Sequence, residues 1–420
     1  MDFQKLLQGV DCACGKHHSC DIDFVAIEHG AIRHLTGLCE DYKKILLVAD
    51  ENTYAAAGAA TMEALAGKAV TKVIFPGSTI LIPNEAAIER VQEDLPGHDL
   101  IVGIGSGVIQ DLCKYVAFFG KLPYYIVATA PSMDGYASTG AAMITGGMKV
   151  TYSAKVPSAI LAATEVLKDA PFDMLQAGYG DIVGKYSSLN DWKLSHIVNG
   201  EYFCDYIYDT TYQAVLDTLP RAKSILARDE ESIRILMEAL VGVGIMISLA
   251  GSSRPASGSE HHLSHFFEIT GIVENKPYFP HGIDVAYSTV ITAKIREELV
   301  AKTFPETQYR PKKAALAAKL DSIYGPVASG CMALQEKVGN YAANRADVYK
   351  ANERAIKKVL AEMPGADTIE AILQDIGLDM QSFYDMYGEA KISDAIWYAK
   401  DLKDRYTVLW LNYDLFGGSV

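Results

Sequence analysis

The chain has 420 residues, half of them hydrophobic, and a formal net charge of −14 at pH 7. This length is sufficient for two domains, each with its own buried core. The acidic balance, without a long run of Lys or Arg, excludes a nucleic-acid-binding protein, because phosphate binding requires a clustered basic face.

The N-terminus lacks the apolar run behind a basic start that is typical of a signal peptide, and we find no stretch of about 18 uncharged apolar residues. We therefore expect a cytoplasmic protein without a membrane span. The seven cysteines are odd in number and scattered along the chain, which predicts reduced thiols and no disulfide framework.

One cluster of metal-binding residue types lies near the N-terminus: Cys12, Cys14, His17, His18 and Cys20. Its C-x-C-x-x-H spacing differs from the common zinc-site patterns. Two interpretations stay open at this point, a structural zinc site and a loose N-terminal loop.

Between Lys43 and about Thr164, apolar β-branched runs alternate with helical patterns. The runs include KKILLVAD, TKVIFPG, DLIVGIGSG and YYIVATAPS. Near-continuous apolar strands between amphipathic helices predict a parallel sheet covered on both faces. We expect one earlier strand and helix at Asp23–Leu35, and a hairpin in AAMITGGMKVTYSA with Gly146–Gly147 at its centre.

After about Pro171 the strand patterns end and long helical patterns follow, such as ESIRILMEALVGVGIMISLAG. The sequence therefore predicts an α/β fold with a Rossmann-like parallel-sheet domain at residues 1–170. An all-α domain is expected at residues 171–420.

The segment GIGSGVIQD, from Gly103 to Asp111, closes a predicted strand and opens a predicted helix. In that place glycines let the backbone approach a pyrophosphate, and the helix start offers free N–H groups. The spacing departs from G-x-G-x-x-G, and a purely structural turn would also use glycine. Both interpretations remain open from this segment alone.

The segment TAPSMDGYAS, from Thr129 to Ser138, follows the next strand, at the carboxyl edge where doubly wound sheets bind ligands. Its hydroxyls and the carboxylate of Asp134 are suited to contact a cofactor or a substrate hydroxyl. The alternative is that Ser132 and Asp134 cap turns.

Potential metal ligands follow in the helical part of the chain: Asp181, the string SEHHLSH with His261 and His265, and then His281. The residues His261 and His265 would share a helix face, since they are four apart. One Asp with two His, and other coordination positions open, is typical of a catalytic divalent-metal site. Single core or surface histidines are the alternative explanation.

Five segments of this chain, taken in order, closely resemble segments of the sn-glycerol-1-phosphate dehydrogenases. They are GIGSGVIQD, TAPSMDGYAS, AGYGDI, SRPASGSEHHLSH and PHG. Those enzymes belong with the iron-type alcohol dehydrogenases, glycerol dehydrogenases and 3-dehydroquinate synthases. The resemblance covers about residues 20–290. It implies a dehydroquinate synthase-like fold and a homodimer. The implied reaction is the reduction of dihydroxyacetone phosphate by NADH or NADPH, with one Zn²⁺, Ni²⁺ or Fe²⁺ per chain, and the implied role is in phospholipid metabolism.

Position by position, the resemblance implies that Asp181, His261 and His281 bind the metal. It assigns substrate contacts and catalysis to Asp134, Asp181 and His265. The implied dinucleotide contacts are Gly105, Gly107, Val108, Ile109, Gln110, Asp111, Thr129, Ala130, Pro131, Ser132 and Ser138.

For two further residues, the charge of the side chain indicates a role. The carboxylate of Asp50, at the end of KKILLVAD, is placed to bind ribose hydroxyls and repel a 2′-phosphate, which predicts a preference for NADH; a helix cap is the alternative. A substrate phosphate favours a nearby cation, and Arg254 is the first candidate, ahead of Lys149 and Lys155. For Arg254 the alternative is an interdomain ion pair.

Three other functions remain to be separated from this one. A glycerol dehydrogenase would act on the unphosphorylated substrate, a synthase would use NAD only transiently, and a regulatory binding protein would have lost the chemistry. Net NADH consumption excludes the synthase, and about one tightly bound divalent metal per chain argues against the binding protein.

Overall fold

The structure is a computed structural model that describes residues 1–146 and 148–417, without the side chains of Met148 and Lys149. Gly147 of the predicted hairpin and the Lys149 side chain therefore lie outside the described part. The chain forms two compact units: Met1–Tyr179 with Leu216–Ser252, and Gly180–Val215 with Ser253–Val420. The division thus differs from the predicted one, since the first unit extends past residue 170 and includes a later helical segment.

The strands lie in the first unit. They are β1 (Val10–Asp11), β2 (His17–His18), β3 (Phe24–Glu28), β4 (Lys44–Asp50), β5 (Ala69–Phe75), β6 (Leu100–Gly105), β7 (Tyr124–Ala128), β8 (Gly140–Thr145), β9 (Met148–Ser153) and β10 (Ala159–Ala163).

The helices run through both units. They are α1 (Phe3–Leu7), α2 (Leu35–Leu38), α3 (Glu51–Ala64), α4 (Glu85–Glu93), α5 (Gly107–Gly120), α6 (Thr164–Leu167), α7 (Phe172–Asn199), α8 (Asp205–Thr218), α9 (Ala222–Leu226), α10 (Glu230–Ala250), α11 (Ser259–Glu274), α12 (His281–Ala301), α13 (Lys313–Tyr324), α14 (Ala328–Lys337), α15 (Ala346–Leu360), α16 (Ala366–Asp375), α17 (Met380–Tyr398) and α18 (Val408–Phe416).

Six strands form one parallel sheet in the order β3-β10-β7-β6-β4-β5. From β4 the chain moves outward to β5, and then places β6, β7 and β10 on the other side of β4. The strand order therefore reverses between β4 and β6, which is the position where open parallel sheets bind ligands beyond the carboxyl ends of their strands. The predicted parallel sheet is confirmed, and β8 pairs with β9 as the predicted hairpin.

The apolar strands form this sheet because both of its faces are covered. In β4, Ile45, Leu47 and Ala49 belong to one core cluster, whereas Leu46 and Val48 belong to another. Successive side chains of a strand point to opposite faces, so an unbroken apolar run requires a core on each side. The continuous pattern KILLVA is thereby explained.

Among the described residues of the second unit, the regular secondary structure is all helical, as predicted for the C-terminal half. One helix of the first unit, α10, is long and apolar enough to cross a membrane by length and composition, since the mean hydropathy of its most apolar 18 residues is 2.0. It carries Arg234 and Glu238, and 72% of its most apolar window is buried inside the structure. Such burial is typical of a core helix.

Candidate functional site

Three helices bring an Asp and two His together among residues of the second unit. Asp181 lies on α7, His261 on α11, and His281 is the first residue of α12. One ligand atom from each lies within 4.8 Å of the others, and His261 Nε2 is 3.8 Å from Asp181 Oδ1. Metal–ligand bonds of about 2.0–2.1 Å at a tetrahedral angle place two such atoms about 3.4 Å apart. The three predicted ligands therefore have nearly the spacing that a divalent ion requires.

Glycines allow these helices to approach closely. A Cβ added to Gly180 would lie 2.4 Å from the carbonyl oxygen of Gly282, and one added to Gly184 would lie 2.5 Å from Val285 Cγ1. Real Cβ atoms do not make such contacts, so only glycine permits this packing of α7 against α12. The close approach brings Asp181, the residue after Gly180, next to the start of α12.

A buried carboxylate fixes the orientation of His261. Glu260 Oε1 lies 2.7 Å from His261 Nδ1, and it also accepts a hydrogen bond from the Gly258 amide. If Nδ1 donates to Glu260, the lone pair of the imidazole is on Nε2, on the side of Asp181. Burial lowers the pKa of His261 well below its usual range, so the ring is neutral at pH 7 and able to coordinate an ion.

The carboxylate of Asp181 is held in its charged form. Burial is the largest single influence and would raise the pKa of this carboxyl, but the charge and hydrogen bond of Lys185, together with the nearby rings of His261 and His281, outweigh it and the pKa falls to about 2. The Lys185 ammonium donates to Asp181 Oδ1 over 2.6 Å and to the Ala256 carbonyl over 3.1 Å. Both side chains of the pair are almost fully buried. The site therefore presents an anion at any physiological pH.

The other two histidines of the SEHHLSH string differ in surroundings. The ring of His265 lies beside the ligand set, with its centroid 6.3 Å from that of His261 and 5.4 Å from that of His281. His262 is fully buried, and within the described part of the chain neither of its ring nitrogens has a hydrogen-bond partner. Only His265 is thus placed to act next to a ligand of the metal site.

Arg254 precedes α11 and is engaged by other groups of the second unit. Its Nε donates to Glu201 Oε1 over 2.6 Å, Nη2 approaches the other oxygen of the same carboxylate, and Nη1 donates to the Tyr406 carbonyl over 2.8 Å. The guanidinium is almost completely buried. These contacts favour an ion pair as the role of Arg254 over a contact with substrate phosphate. Both partners of the pair belong to the second unit.

The glycine-rich segment of the first unit has the predicted strand-to-helix geometry. Gly105 ends β6, Ser106 is the N-cap residue, and α5 begins at Gly107. A Cβ on Gly105 would lie 2.6 Å from Ile109 Cβ, so glycine allows the first turn of α5 to pack on its own strand. Ser106, Gly107 and Val108 are half-buried, which leaves the start of the helix accessible.

Two side chains of this segment are used for internal contacts. The amide of Gln110 donates to the Tyr136 carbonyl over 2.8 Å. Asp111 Oδ2 accepts from the Ala142 amide over 3.1 Å, and Oδ1 lies 3.3 Å from the ammonium of the buried Lys114. Both side chains therefore fix the chain that follows β7, and a dinucleotide contact from these positions would come from their backbone.

The TAPSMDGYAS segment lies directly beyond β7. The Thr129 amide donates to the Gly105 carbonyl over 3.1 Å, which joins this segment to the end of β6. The Tyr136 hydroxyl donates to the carbonyl of Ala130, whose side chain, like Pro131, is buried. Ser138 Oγ donates back to the Gly135 carbonyl over 3.1 Å. The glycine turn and this segment thus form one continuous edge of the sheet.

Ser132 and Asp134 are half-buried polar residues of that edge, as is Ser138. Asp134 opens a 3₁₀ turn that ends at Ala137, and the turn packs against α10 at Gly244, where a Cβ would lie 2.5 Å from the Asp134 carbonyl oxygen. A helix of the first unit therefore holds the backbone of Asp134 in place.

Asp50 ends β4 and is the N-cap of α3. Its Oδ1 accepts from the Thr53 amide over 2.8 Å, and the Thr53 hydroxyl accepts from the Asp50 amide over 3.1 Å. This capping box is the alternative role considered for Asp50. The residue also lies at the carboxyl end of the strand next to β6, at the reversal of strand order.

Sequence reasoning missed Glu260 and Lys185, the two buried charges that hold His261 and Asp181. One signal was available. A Glu directly before His261 and a Lys four residues after Asp181 are charged residues inside apolar helical stretches, and buried charges are typically paired.

Two bacterial proteins named glycerol-1-phosphate dehydrogenase (NAD(P)+) are similar to this chain over most of its length. The protein of Geobacillus thermodenitrificans is 35% identical over 308 residues, which cover 71% of this chain and 76% of the relative. The protein of Halalkalibacterium halodurans is 31% identical over 375 residues, which cover 82% and 93%.

The family model for iron-containing alcohol dehydrogenases matches residues 26–171. Among solved structures, an iron-containing alcohol dehydrogenase from Corynebacterium glutamicum superposes with a TM-score of 0.60 at 15% identity, covering 96% of this chain and 97% of that one. At this identity the superposition shows the fold alone.

Proposed function

This chain belongs to the glycerol-1-phosphate dehydrogenases, NAD(P)-dependent oxidoreductases acting on a CH–OH group, and on that premise we propose that it reduces dihydroxyacetone phosphate to sn-glycerol 1-phosphate. The observation that supports this reaction most directly is the convergence of Asp181, His261 and His281 within 4.8 Å. Two imidazoles and one carboxylate suit Zn²⁺, Ni²⁺ or Fe²⁺.

When bound, the divalent ion polarises a carbonyl oxygen as a Lewis acid, and the reduced nicotinamide carries the hydride. The contribution of the chain is to hold its ligands in position. Donation from His261 Nδ1 to Glu260 would keep the lone pair of Nε2 for the ion, and Asp181 stays ionised beside Lys185. Such partners of ligating residues fix ring orientation and tautomer.

We assign proton donation to His265. Reduction of a ketone adds a proton to the former carbonyl oxygen, and a positioned imidazole near the ligand set is suited to give it from a ring nitrogen. His265 is half-buried and therefore open to solvent, from which it can be reprotonated. Asp134 is proposed to contact the substrate from the first unit.

We place the dinucleotide at the reversal of strand order in the first unit. The accessible N–H groups of Gly107 and Val108, at the start of α5, are suited to the pyrophosphate. The segment from Thr129 to Ser132, with Ser138, extends this edge towards β7. Asp50 at the end of β4 is proposed to bind the ribose hydroxyls, which favours NADH over NADPH.

We propose that the substrate phosphate binds beside a cationic side chain. Since Arg254 is engaged by Glu201, a phosphate there would have to compete with a carboxylate already paired to the guanidinium. Lys155 is exposed in the first unit and is the next cation to test. We further propose that the protein is a cytoplasmic homodimer that serves phospholipid metabolism.

The experiment is an NADH-oxidation assay against dihydroxyacetone phosphate and dihydroxyacetone, after chelation and after addition of Zn²⁺, Ni²⁺ or Fe²⁺ in turn. We expect a large preference in kcat/KM for the phosphorylated ketone, and a product with the sn-1 configuration on chiral analysis. Chelation should abolish turnover while NADH binding, measured by fluorescence, persists. Equal rates on both ketones would assign the protein to glycerol oxidation instead, and full activity without metal would contradict the mechanism.

A further inference from the structure

The first unit contains a second group of metal-binding side chains, on the N-terminal hairpin. Strand β1 pairs antiparallel with β2, and the turn between them is closed by hydrogen bonds from the Cys12 amide to the Lys16 carbonyl and from the Gly15 amide to the Cys12 carbonyl. Gly15 has a φ of +85°, which glycine adopts without strain. The hairpin is therefore an ordered turn and not a loose N-terminal loop.

This turn gathers two thiols and one imidazole. The ligand atoms of Cys12, Cys14 and His18 all lie within 4.8 Å of one another, and Cys14 Sγ is 3.3 Å from His18 Nε2. Bonds of about 2.3 Å from zinc to sulfur and about 2.0 Å to nitrogen, at a tetrahedral angle, place these atoms about 3.5 Å apart. The observed separation needs only a small adjustment to accept an ion.

The orientation of His18 is that of a metal ligand. Its Nδ1 lies 2.8 Å from the carbonyl oxygen of Leu249, near the end of α10, and the ring is almost fully buried. A carbonyl oxygen can only accept, so Nδ1 carries the proton and Nε2 presents its lone pair to Cys14. Metal-bound histidines usually donate their second N–H to a carbonyl or carboxylate in this way.

We propose that Cys12, Cys14 and His18 bind a Zn²⁺ ion through two thiolates and Nε2, at a site separate from the Asp181 site. Thiolates favour Zn²⁺ over the hard cations, and each cysteine thiol that becomes a thiolate ligand releases its proton to solvent. This turn supplies ligands for three of the four tetrahedral positions. The ion joins the hairpin to α10 through His18 and so anchors the N-terminus of the chain.

A mercurial reagent distinguishes the two sites, because it displaces zinc from thiolates and leaves carboxylate and imidazole ligands intact. Full-length protein loaded with Zn²⁺ should carry about two ions per chain by plasma mass spectrometry, one for each three-residue set. Titration with p-hydroxymercuribenzoate, followed with a colorimetric zinc indicator, should release about one of them. Co²⁺-loaded protein should show thiolate-to-metal charge-transfer absorption in the near ultraviolet.

Each ligand has a neighbour of the same type as a matched control. The variants Cys14→Ser and His18→Asn should lose the mercurial-releasable zinc and the cobalt absorption. Cys20→Ser and His17→Asn should retain both, since Cys20 is outside the group and the exposed His17 ring pairs with Asp11. Circular dichroism compares folding across all four variants.

Asp181→Asn separates this inference from the proposed function, because it should abolish turnover and still release zinc to the mercurial. The inference is overturned if the wild-type protein releases no zinc to the mercurial. It is equally overturned if Cys14→Ser and Cys20→Ser release the same amount while both remain folded.

Discussion

The two units present their candidate functional groups in opposite ways. At the sheet edge of the first unit, the accessible groups are backbone amides at Gly107 and Val108, whereas the side chains of Gln110 and Asp111 hold neighbouring segments. In the second unit, the candidate functional groups are side chains from three helices, and they lie among other buried ionisable groups. A site of backbone groups tolerates many side-chain changes, but a site of side chains depends on each of its members and on their partners.

The largest effect is expected from a metal ligand. His261→Ala leaves two protein ligands, so metal and turnover should be lost together, with kcat/KM falling on the order of 10³-fold or more. His262→Ala is the matched control, because His262 lies on another face of α11 and is buried away from the ligand set. It should retain the metal and cost about 1–3 kcal/mol of unfolding free energy.

Plasma mass spectrometry measures the metal content, steady-state kinetics measures kcat/KM, and denaturant unfolding measures the unfolding free energy. Loss of metal from the His262 variant, with retention in the His261 variant, would show that α11 presents the opposite face to the ion.

His265 tests whether a residue beside the ligand set acts on substrate alone. His265→Ala should keep the metal and lower kcat/KM about 10²-fold, as expected when a general acid is removed. Metal content and the pH dependence of kcat/KM are the measurements. An unchanged pH profile and rate would assign proton donation to another group.

Glu260 tests how far the side-chain site depends on its buried partners. Glu260→Gln keeps an acceptor for His261 Nδ1 but removes the charge, and we expect metal affinity to fall by roughly tenfold. Competition with a fluorescent chelator measures the change. Wild-type affinity would mean that helix packing alone orients the His261 ring.

Gly180 tests the helix packing itself. Gly180→Ala places a Cβ 2.4 Å from the Gly282 carbonyl oxygen, so the helices must separate, at a cost of about 1–3 kcal/mol and with weaker metal binding. Gly330→Ala is the control, since that helical glycine has no neighbouring heavy atom within 4 Å of an added Cβ. It should be neutral or stabilising by up to about 1 kcal/mol. Equal unfolding midpoints for both variants would contradict the role given to Gly180.

The smallest effect is expected at the backbone-lined edge. Asp50→Asn keeps a cap for α3 but removes the charge, and it should narrow the preference for NADH over NADPH roughly fivefold, which is about 1 kcal/mol. Asp50→Gly should narrow it similarly and lose the cap as well. The ratio of the two kcat/KM values is the measurement. An unchanged ratio in both variants would leave Asp50 with its capping role only.

Much of the fold could be predicted because the sequence patterns that specify strands and helices are local. The apolar run of β4 and the amphipathic pattern of the following helices predicted a parallel sheet, and the structure confirms it. The boundary between units could not be predicted in this way. The segment Leu216–Ser252 is helical, like the residues on both sides of it, so periodicity contains no information on the unit to which it belongs.

The sequence by itself determined which residue types were available for chemistry: the order of Asp181, His261 and His281, the glycine turn before α5, and the Cys-x-Cys turn near the N-terminus. Only the tertiary structure decided which of them meet, and which partners hold them. The contacts of Gly180 with Gly282, and of His18 with Leu249, join positions far apart in the chain. Side-chain periodicity reports which face of an element is buried, whereas contact between distant elements depends on how closely their backbones pack.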